Sequence, residues 1–248
     1  MCWSGKKVLK MRLLLVGLPL GNIEDISLRA IRALSQAKFV ICEDTRVFRK
    51  LWLKLVSLGY LTGEFSGKLE VINDFNEKKK ALELIGEIQN FDEVLLVSDA
   101  GMPSISDPGF RLVKEVVGMG GEISSVPGPT ALTTAVCLSG LSTDKLLFLG
   151  FLPKKKSKRE RFWTAAKSFT SMGMTLAIYE PARSVSKTLE EIKGEFGEVD
   201  VVIARELTKK FEEIIRGKAS EVIDKIREKG VKGELVLLWR LEKEKLLR

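Results

Sequence analysis

Short apolar runs alternate with amphipathic segments through the first half of the chain. The runs are bounded by glycine, proline or polar residues, which indicates buried strands at residues 13–16, 39–42, 94–97 and 123–126. Between the first two, Leu28, Ile31 and Leu34 recur at the spacing of a helix face, after Ser27 as a candidate cap. Residues 59–76 have weak periodicity and are predicted to be a connection, followed by a helix to about residue 89.

The second half repeats this alternation. Strands are predicted at residues 146–149, 174–179, 199–204 and 234–239, and helices at 131–138, 185–196 and 220–229. Alternating strands and helices are typical of an α/β fold, with mostly parallel sheets covered by helices on both faces. Two such halves predict two α/β domains, residues 1–127 and 128–248, and make the cleft between them the default pocket.

The longest predicted strand-to-helix loop covers residues 98–107. It contains Gly101, Pro103 and three serines, whereas ordinary connections of this kind have about two to six residues. Asp107 and Pro108 predict the N-cap and the first residue of the following helix. Because open α/β sheets bind ligands at the carboxyl ends of their strands, we expect this loop to contact a ligand.

Composition narrows the possible chemistry. The 248 residues include no histidine, which excludes histidine bases, histidine-containing triads and the common zinc sites in this chain alone. Cys2, Cys42 and Cys137 are too dispersed for a CxxC site. Cys42 and Cys137 fall in apolar segments and are predicted to be core thiols. We therefore expect no metal site.

The charge balance is basic, with 41 Lys and Arg residues against 33 Asp and Glu and a formal net charge of +8. This favours a polyanionic partner, although it would equally suit the ion-pair surface of a thermophilic protein. No apolar run approaches the ~18 residues of a membrane span, and residues 1–11 lack the apolar region of a signal peptide. We expect a cytoplasmic protein with no membrane partner.

The glycine-rich turns do not form a nucleotide-binding motif. Residues 17–22, GLPLGN, are not G-x-G-x-x-G because Pro19 replaces the middle glycine, and no phosphate-binding G-x-x-x-x-G-K-[ST] is present. The predicted strand ends are instead rich in glycine, proline, serine and threonine, which offer backbone donors and acceptors. This favours a ligand recognised mainly by its shape and by backbone groups.

One family carries these motifs in the same order and at similar spacings. The shared segments are LVGLPLGN, EDTR, SDAGMPSISDPG, PGPTA, LFLGFLPKKK, YEPAR, ARELTKKFEE and KGELVL. The chain resembles the ribosomal RNA small subunit methyltransferase I family, in the tetrapyrrole methylase superfamily of S-adenosylmethionine-dependent transferases. The resemblance covers nearly all of residues 11–238.

The resemblance implies a fold, a cofactor and a substrate. The fold would be two α/β domains of the tetrapyrrole methylase type, with S-adenosylmethionine in the interdomain cleft, in a homodimer. The reaction would methylate the ribose 2′-hydroxyl of a cytidine in 16S rRNA of the small ribosomal subunit. By motif, the cofactor would contact Leu18, Pro19, Leu20, Gly101, Met102, Pro103, Ile105, Ser106, Thr130, Ala131, Tyr179, Glu180, Arg205, Glu206, Leu207, Gly233, Glu234 and Leu235.

The chain departs from the family pattern at several positions. The family usually has threonine where this chain has Leu18 and Met102, and a histidine-rich stretch where it has residues 71–77. Its Tyr-Glu-x-Pro-His-Arg motif is shortened here to residues 179–183. Because the implied cofactor contacts are mostly to backbone, the departures concern the substrate side of the site.

The chemistry of such a transfer can be argued from the residues. A ribose hydroxyl must lose a proton, and without histidine the base would be a carboxylate, a lysine of lowered pKa or water. Glu43, Asp44 and Glu180 are carboxylates at the ends of predicted strands, and Glu43, Asp44 and Arg46 are the candidate catalytic residues. The alternative role of Asp44 is a helix cap.

Basic residues are candidates for contacts with phosphates. Arg46, Arg183 and Arg205 would neutralise phosphates, with ion pairs as their alternative role. Lys154, Lys155, Lys156, Lys158 and Arg159 lie in a segment without apolar periodicity, so we expect them to be exposed and, with Arg183, to bind RNA. The competing functions are a precorrin-type tetrapyrrole C-methyltransferase and a non-catalytic RNA-binding protein on the same fold; exposed basic loops are also often only solvated.

Overall fold

The computed structural model describes residues 11–241, apart from the side chains of residues 170 and 171. The chain divides into two compact units, Met1–Thr130 and Ala131–Arg248. The first contains β1 (Arg12–Val16), a 3-10 turn (Ile23–Asp25), α1 (Leu28–Gln36), β2 (Phe39–Cys42), α2 (Thr45–Ser57), β3 (Lys68–Val71), α3 (Glu77–Ile88), β4 (Glu93–Leu96), α4 (Phe110–Gly118) and β5 (Glu122–Val126).

The first unit is a parallel sheet with helices on both faces. Its strand order is β3-β2-β4-β1-β5, and every neighbouring pair is parallel. Successive strand residues alternate between the faces: Leu14 packs in the cluster formed with α1 and α2, and Leu13 in the one formed with α3 and α4. Burial on both faces explains the nearly continuous apolar runs of the inner strands β1, β2 and β4. The predicted architecture of this half is confirmed.

One strand of this sheet was predicted to be a connection. β3 pairs with β2 from Phe39↔Lys68 to Cys42↔Val71. It is an edge strand, and its sequence KLEV contributes only partly buried apolar side chains. The prediction for residues 59–76 is therefore wrong over these four residues, because an edge strand needs little hydrophobic pattern of its own once a buried neighbour supplies the hydrogen bonds.

The helix after the long loop also starts differently from the prediction. α4 begins at Phe110, and Gly109, with φ 126°, holds the N-cap position. Glu77 Oε1, at the start of α3, accepts hydrogen bonds from the backbone N–H groups of Gly109 at 2.9 Å and Arg111 at 3.1 Å. The prediction of a helix start at Pro108 capped by Asp107 is wrong, because this cap comes from a residue distant in sequence.

The second unit contains α5 (Ala131–Ser139), β6 (Leu146–Phe151), α6 (Lys156–Ser171), β7 (Thr175–Pro181), a 3-10 turn (Ala182–Ser184), α7 (Val185–Phe196), β8 (Asp200–Arg205), β9 (Glu213–Lys218), α8 (Ala219–Lys229) and β10 (Glu234–Arg240). Its sheet order is β6-β7-β10-β8-β9. One face packs against α6, α7 and α8, and the other against α5.

The strand directions of this second sheet correct the prediction. Only β6 and β7 are parallel, whereas β7–β10, β10–β8 and β8–β9 are antiparallel pairs. The expectation of a mostly parallel sheet is wrong here because β8 and β9 form a hairpin and β10 runs back between β7 and β8. β9 was not predicted, since its sequence EIIRGK has charged residues at both ends and inside.

Two further expectations can be compared with these units. Cys42 is buried as predicted, but Cys137 is exposed on α5, so its assignment as a core thiol is wrong. Within residues 11–241, no helix is both long enough and apolar enough to cross a membrane.

The capping of α4 by Glu77 leads to a stability prediction. Glu77→Ala should lower the free energy of unfolding by about 1–2 kcal/mol, because it leaves two backbone donors of α4 without their acceptor. The matched control is Glu83→Ala on the same helix: Glu83 is exposed and forms ion pairs with Lys79 and Lys80 at 3.4 and 3.9 Å, so its loss should cost about 0.5 kcal/mol or less. Equal losses of urea stability in the two variants would contradict the capping role.

Candidate functional site

In the first unit, the residues predicted to contact the cofactor lie at the carboxyl edge of the parallel sheet. The loops that leave β1, β4 and β5 meet there because parallel strands end at the same edge. Leu18 and Gly101 form a β-bridge with two reciprocal backbone hydrogen bonds, from Leu18 N to Gly101 O at 2.8 Å and from Gly101 N to Leu18 O at 3.1 Å. The structure therefore joins residues 18–20 with residues 101–106.

Glycines allow these loops to approach one another closely. A Cβ on Gly17 would lie 2.6 Å from Gly128 Cα, and 2.6 Å from Met102 Sδ. Gly101 has φ +75°, and a Cβ there would lie 3.2 Å from Leu20 Cδ2 and 3.5 Å from Pro129 O. A side chain at position 101 would strain the backbone and fill the space beside Leu20. A substitution there should therefore destabilise the fold as well as weaken binding of any ligand held by this loop.

The rest of the loop is held in an unusual conformation. Ser104 and Ser106 have φ 70° and 61°, in the left-handed region that non-glycine residues adopt rarely. Pro103 is buried, whereas Ile105 is 43% exposed. Ser104 Oγ is buried and has no hydrogen-bond partner among the described residues. Strained backbone and an unpartnered buried hydroxyl are features that a ligand-binding loop can retain for function.

Asp44 has the structural role that was its alternative assignment. Its side chain accepts a hydrogen bond from Arg46 N at 2.8 Å and so caps α2. The Arg46 guanidinium also donates to the same carboxylate, with Nη2 2.6 Å from Oδ2. These hydrogen bonds lower the pKa of Asp44 to about 2, so it is a weak proton acceptor at neutral pH.

Glu43 is tuned in the opposite direction. Its partial burial and the nearby carboxylates of Asp99 and Asp107 raise its pKa to about 7. The pKa of Asp99 is also raised, chiefly by burial, and its Oδ1 accepts from Asp44 N at 3.2 Å. Burial, followed by the carboxylates of Asp99, Asp44 and Glu43, raises the pKa of the Cys42 thiol to about 12. Glu43 is therefore a carboxylate that can accept a proton close to neutral pH.

In the second unit, the predicted residues also converge on one edge of a sheet. β10 begins beside the ends of β7 and β8, with the pairs Leu235↔Glu180 and Leu235↔Arg205. Ala182 N donates to Gly233 O at 3.1 Å. Gly233 has φ +88°, and a Cβ there would lie 2.1 Å from Glu206 Oε1. Residues 179–180, 205–207 and 233–235 thus form one cluster, while Ala131 starts α5 and Thr130 ends the first unit.

Several side chains of this cluster are already engaged. Glu180 is buried and accepts a hydrogen bond from Thr188 Oγ1 at 2.8 Å. Leu207 and Leu235 are buried in the two apolar layers. Arg205 forms an ion pair with Glu213 at 2.9 Å, which is the alternative role that the sequence left open. These residues would therefore present mainly backbone groups to a ligand.

The basic run, residues 154–159, contains four exposed lysines and one arginine that is held by hydrogen bonds. Lys154, Lys155, Lys156 and Lys158 are exposed, and so is Arg183. Arg159 is not, because it lies in α6, pairs with Glu191 and donates to Thr188 Oγ1 at 2.9 Å. The expectation of an exposed Arg159 is wrong, since residues 156–171 form a helix on which Arg159 faces α7.

This arginine belongs to a polar chain that the sequence analysis missed. Glu191 also accepts from Trp163 Nε1 at 3.0 Å, so α6 is linked through α7 to Glu180 on β7. Thr188 and Glu191 lie on α7 among the buried Val185, Leu189 and Ile192. The polar residues that interrupt the apolar face of α7 are the sequence signal that could have predicted this chain of hydrogen bonds. Within residues 11–241, no group of three or more His, Cys, Asp or Glu side chains is placed to hold a metal ion.

The comparisons with known proteins agree with one another. Residues 12–223 match the family of Tetrapyrrole (Corrin/Porphyrin) Methylases. The chain is 37% identical over 231 residues to the ribosomal RNA small subunit methyltransferase I of Thermotoga maritima, covering 92% of this chain and 97% of that protein. The chain belongs to the tetrapyrrole methylase family, among the ribosomal RNA small subunit methyltransferase I proteins.

Further likenesses support the family and its fold. The protein of the same name from a Hydrogenobaculum species is 38% identical over 241 residues, covering 96% of this chain and 98% of that protein. The crystal structure of the methyltransferase CobJ matches with a TM-score of 0.67 and 16% identity, over 93% of each chain. At that identity the likeness shows the tetrapyrrole methylase fold alone.

The raised pKa of Glu43 predicts a pH dependence of stability. The pKa of this carboxyl is about 7 in the fold and 4.5 in the unfolded chain. Between these two pH values the folded protein binds more protons than the unfolded chain, so the free energy of unfolding falls as the pH rises from 4.5 to 7. Glu43→Gln should therefore raise the unfolding free energy at pH 8 by about 1 kcal/mol, after allowing for solvent exposure, and change it little at pH 4. The exposed Glu228→Gln is the control in urea titrations at both pH values, and a gain of equal size at pH 4 would refute the assignment.

Proposed function

We propose that this chain transfers the methyl group of S-adenosylmethionine to the ribose 2′-hydroxyl of a cytidine in 16S rRNA of the small ribosomal subunit. The observation that carries the proposal is the identity of 37% with the T. maritima ribosomal RNA small subunit methyltransferase I across 97% of that protein. The site geometry supports it independently through a backbone-rich loop edge and a carboxylate poised at neutral pH.

The residues at the two strand edges fit S-adenosylmethionine. In the first unit we assign Leu18, Pro19, Leu20, the loop from Gly101 to Ser106, and Thr130, because the bare Cα of Gly101 and the unpartnered Ser104 hydroxyl leave backbone and polar groups for a ligand. In the second unit we assign Ala131, Tyr179, Glu180, Arg205, Glu206, Leu207, Gly233, Glu234 and Leu235, acting mainly through their backbone. The bound cofactor supplies an electrophilic methyl group on a sulfonium.

Among the three catalytic candidates, Glu43 is the one we propose as the base. A proton acceptor works best when its pKa lies near the operating pH, and Glu43 has a pKa of about 7 whereas that of Asp44 is about 2. Asp44 and Arg46 form a capping pair that fixes the start of α2, directly after Glu43. We propose that these two residues position the strand end rather than exchange protons.

Exposed positive charge favours a polyanionic substrate. Lys154 and Lys155 lie in the loop after β6, Lys156 and Lys158 in the first turn of α6, and Arg183 in the turn after β7. Cationic side chains at these positions suit RNA phosphates. A small tetrapyrrole is the less supported substrate, since the crystal structure of a cobalt precorrin-4 methyltransferase matches at only 17% identity. With this activity the chain would act in the cytoplasm. We also propose that it forms a homodimer, which analytical ultracentrifugation can test.

The substrate assignment is tested by tritiated methyl transfer. The protein should label 16S rRNA in small ribosomal subunits that lack the modification, at a rate that rises in proportion to subunit concentration below KM, with S-adenosylmethionine as the only donor. Free tetrapyrroles, offered under the same conditions, should remain unlabelled. Labelling of a tetrapyrrole without labelling of subunits would replace the proposal by its alternative, and cofactor-independent RNA binding without transfer would support a non-catalytic protein.

The choice of base is tested by two neighbouring substitutions. Glu43→Gln should lower kcat by about 100- to 10,000-fold, and the wild-type kcat should rise with pH through about 7 as this carboxyl loses its proton. Asp44→Asn is the matched control because asparagine is an equally good N-cap, so kcat should stay within about threefold. If Asp44→Asn abolishes turnover while Glu43→Gln does not, the base has been misassigned.

A further inference from the structure

The hairpin between β8 and β9 presents an aromatic side chain to solvent. Phe211 is 67% exposed, although it is one of the larger apolar residues of the second unit. Lys209 and Lys210 precede it, and Lys210 Nζ lies 5.7 Å from the centroid of its ring. Lys209 is paired with Glu206, so Lys210 is the cation beside the ring. An exposed ring next to a cationic side chain combines the two groups that bind single-stranded nucleic acids, a stacking surface and a phosphate partner.

The tip of this hairpin is held in a defined shape. Glu206 and Thr208 have φ 48° and 64°, and Thr208 N donates to Glu212 Oε2 at 2.6 Å. Two turns close the loop, through Lys209 N to Glu206 O at 3.0 Å and Glu212 N to Lys209 O at 3.0 Å. Leu207 anchors the base of the tip in the apolar layer under α5. The exposure of Phe211 is therefore built into an ordered turn and does not come from a loose end.

The topology places this tip on the same edge as the basic run. β6 and β7 are parallel, and β8 is parallel to β7 because both are antiparallel to β10 between them. The carboxyl ends of β6, β7 and β8 therefore share one edge, and β6 and β8 are roughly 14 Å apart at three strand spacings. Lys154–Lys158 follow β6, Arg183 follows β7, and Lys209–Phe211 follow β8. The edge carries cations at both ends, within reach of a few nucleotides.

We infer that Phe211 stacks on an unpaired base of the RNA substrate, and that Lys210 contacts the adjacent phosphate. This inference rests on the proposed function, because it takes RNA as the substrate. It adds a contact outside the basic run, on a loop that directly follows the proposed cofactor residues Arg205–Leu207. The hairpin would fix the position of the RNA strand at this edge of the sheet, while the lysines after β6 bind the RNA backbone.

The first test separates stacking from folding. In methyl transfer to small ribosomal subunits, Phe211→Ala should raise KM about tenfold, as expected for loss of one stacked base, while Phe211→Trp should keep KM within about twofold. S-adenosylmethionine affinity, measured by calorimetry, should be unchanged in both. Met172→Ala is the matched control, since Met172 is 59% exposed but precedes β7 at the opposite edge of the sheet.

The second test separates stacking from charge. Lys210→Gln should reduce the slope of log KM against log salt concentration by about 0.7–0.9, the value for one phosphate contact, whereas Phe211→Ala should leave the slope unchanged. Lys145→Gln, an exposed lysine just before β6 at the opposite edge, should leave both KM and slope unchanged. A slope change in Phe211→Ala would mean that the ring acts only by placing Lys210, and would overturn the stacking assignment.

Fluorescence gives a direct reading of the contact. The described tryptophans Trp52, Trp163 and Trp239 are 7%, 4% and 0% exposed, so the extra signal of Phe211→Trp over wild type reports on the hairpin tip. An unstructured RNA oligonucleotide should quench that extra signal.

Absence of quenching, or a Phe211→Ala KM within twofold of an active wild type, would refute the inference and leave the proposed function standing. Loss of the wild-type oligomeric state in Phe211→Ala with unchanged KM would show a protein contact instead, and a wild type inactive on subunits would overturn both proposals.

Discussion

The backbone contact between the loops after β1 and β4 is the constraint on which the site depends. Leu18 and Gly101 exchange two hydrogen bonds, and Gly17 packs against Gly128 so closely that no side chain fits between them. Three strand ends are thereby fixed relative to one another by main-chain atoms, which lack the rotamer freedom of side chains. Because the contact between Leu18 and Gly101 is made by main-chain atoms, it does not depend on which side chains stand at positions 18 and 102.

Electrostatics then distinguishes two neighbouring carboxylates. Glu43 and Asp44 are adjacent in sequence, yet the pKa of the first is raised to about 7 and that of the second lowered to about 2. The difference comes from Arg46, which donates to Asp44 and lowers its pKa, and from the partial burial of Glu43 together with the nearby Asp99 and Asp107, which raise its pKa. Two identical functional groups with environments that separate their pKa values can take different roles, one structural and one chemical.

Much of the fold followed from hydrophobic pattern, and the failures have physical causes. The buried strands of the first sheet were predictable because both of their faces are covered, so nearly every residue is apolar. The edge strands β3 and β9 were missed because their pattern is weak. The cap from Glu77 to α4 and the pairing of Arg159 with Glu191 join residues distant in sequence, and no local pattern encodes them. The family motifs indicated the loops that we propose as the site, whereas the raised pKa of Glu43 depends on burial and on carboxylates that only the three-dimensional structure brings near it.

The strained residues at these loops bear on how the protein could be made more thermostable. Among residues 11–241, the non-glycine residues with positive φ are Ser104, Ser106, Glu206 and Thr208, and all four follow a strand at a proposed binding edge. Replacing such residues by glycine or asparagine relieves strain of about 1 kcal/mol each at other sites of this kind. Here the same replacements would loosen the loops that we propose as the ligand-binding loops. Heat resistance in this fold is therefore better sought in the helices and in β3 and β9, away from the four positions where it would be simplest to gain.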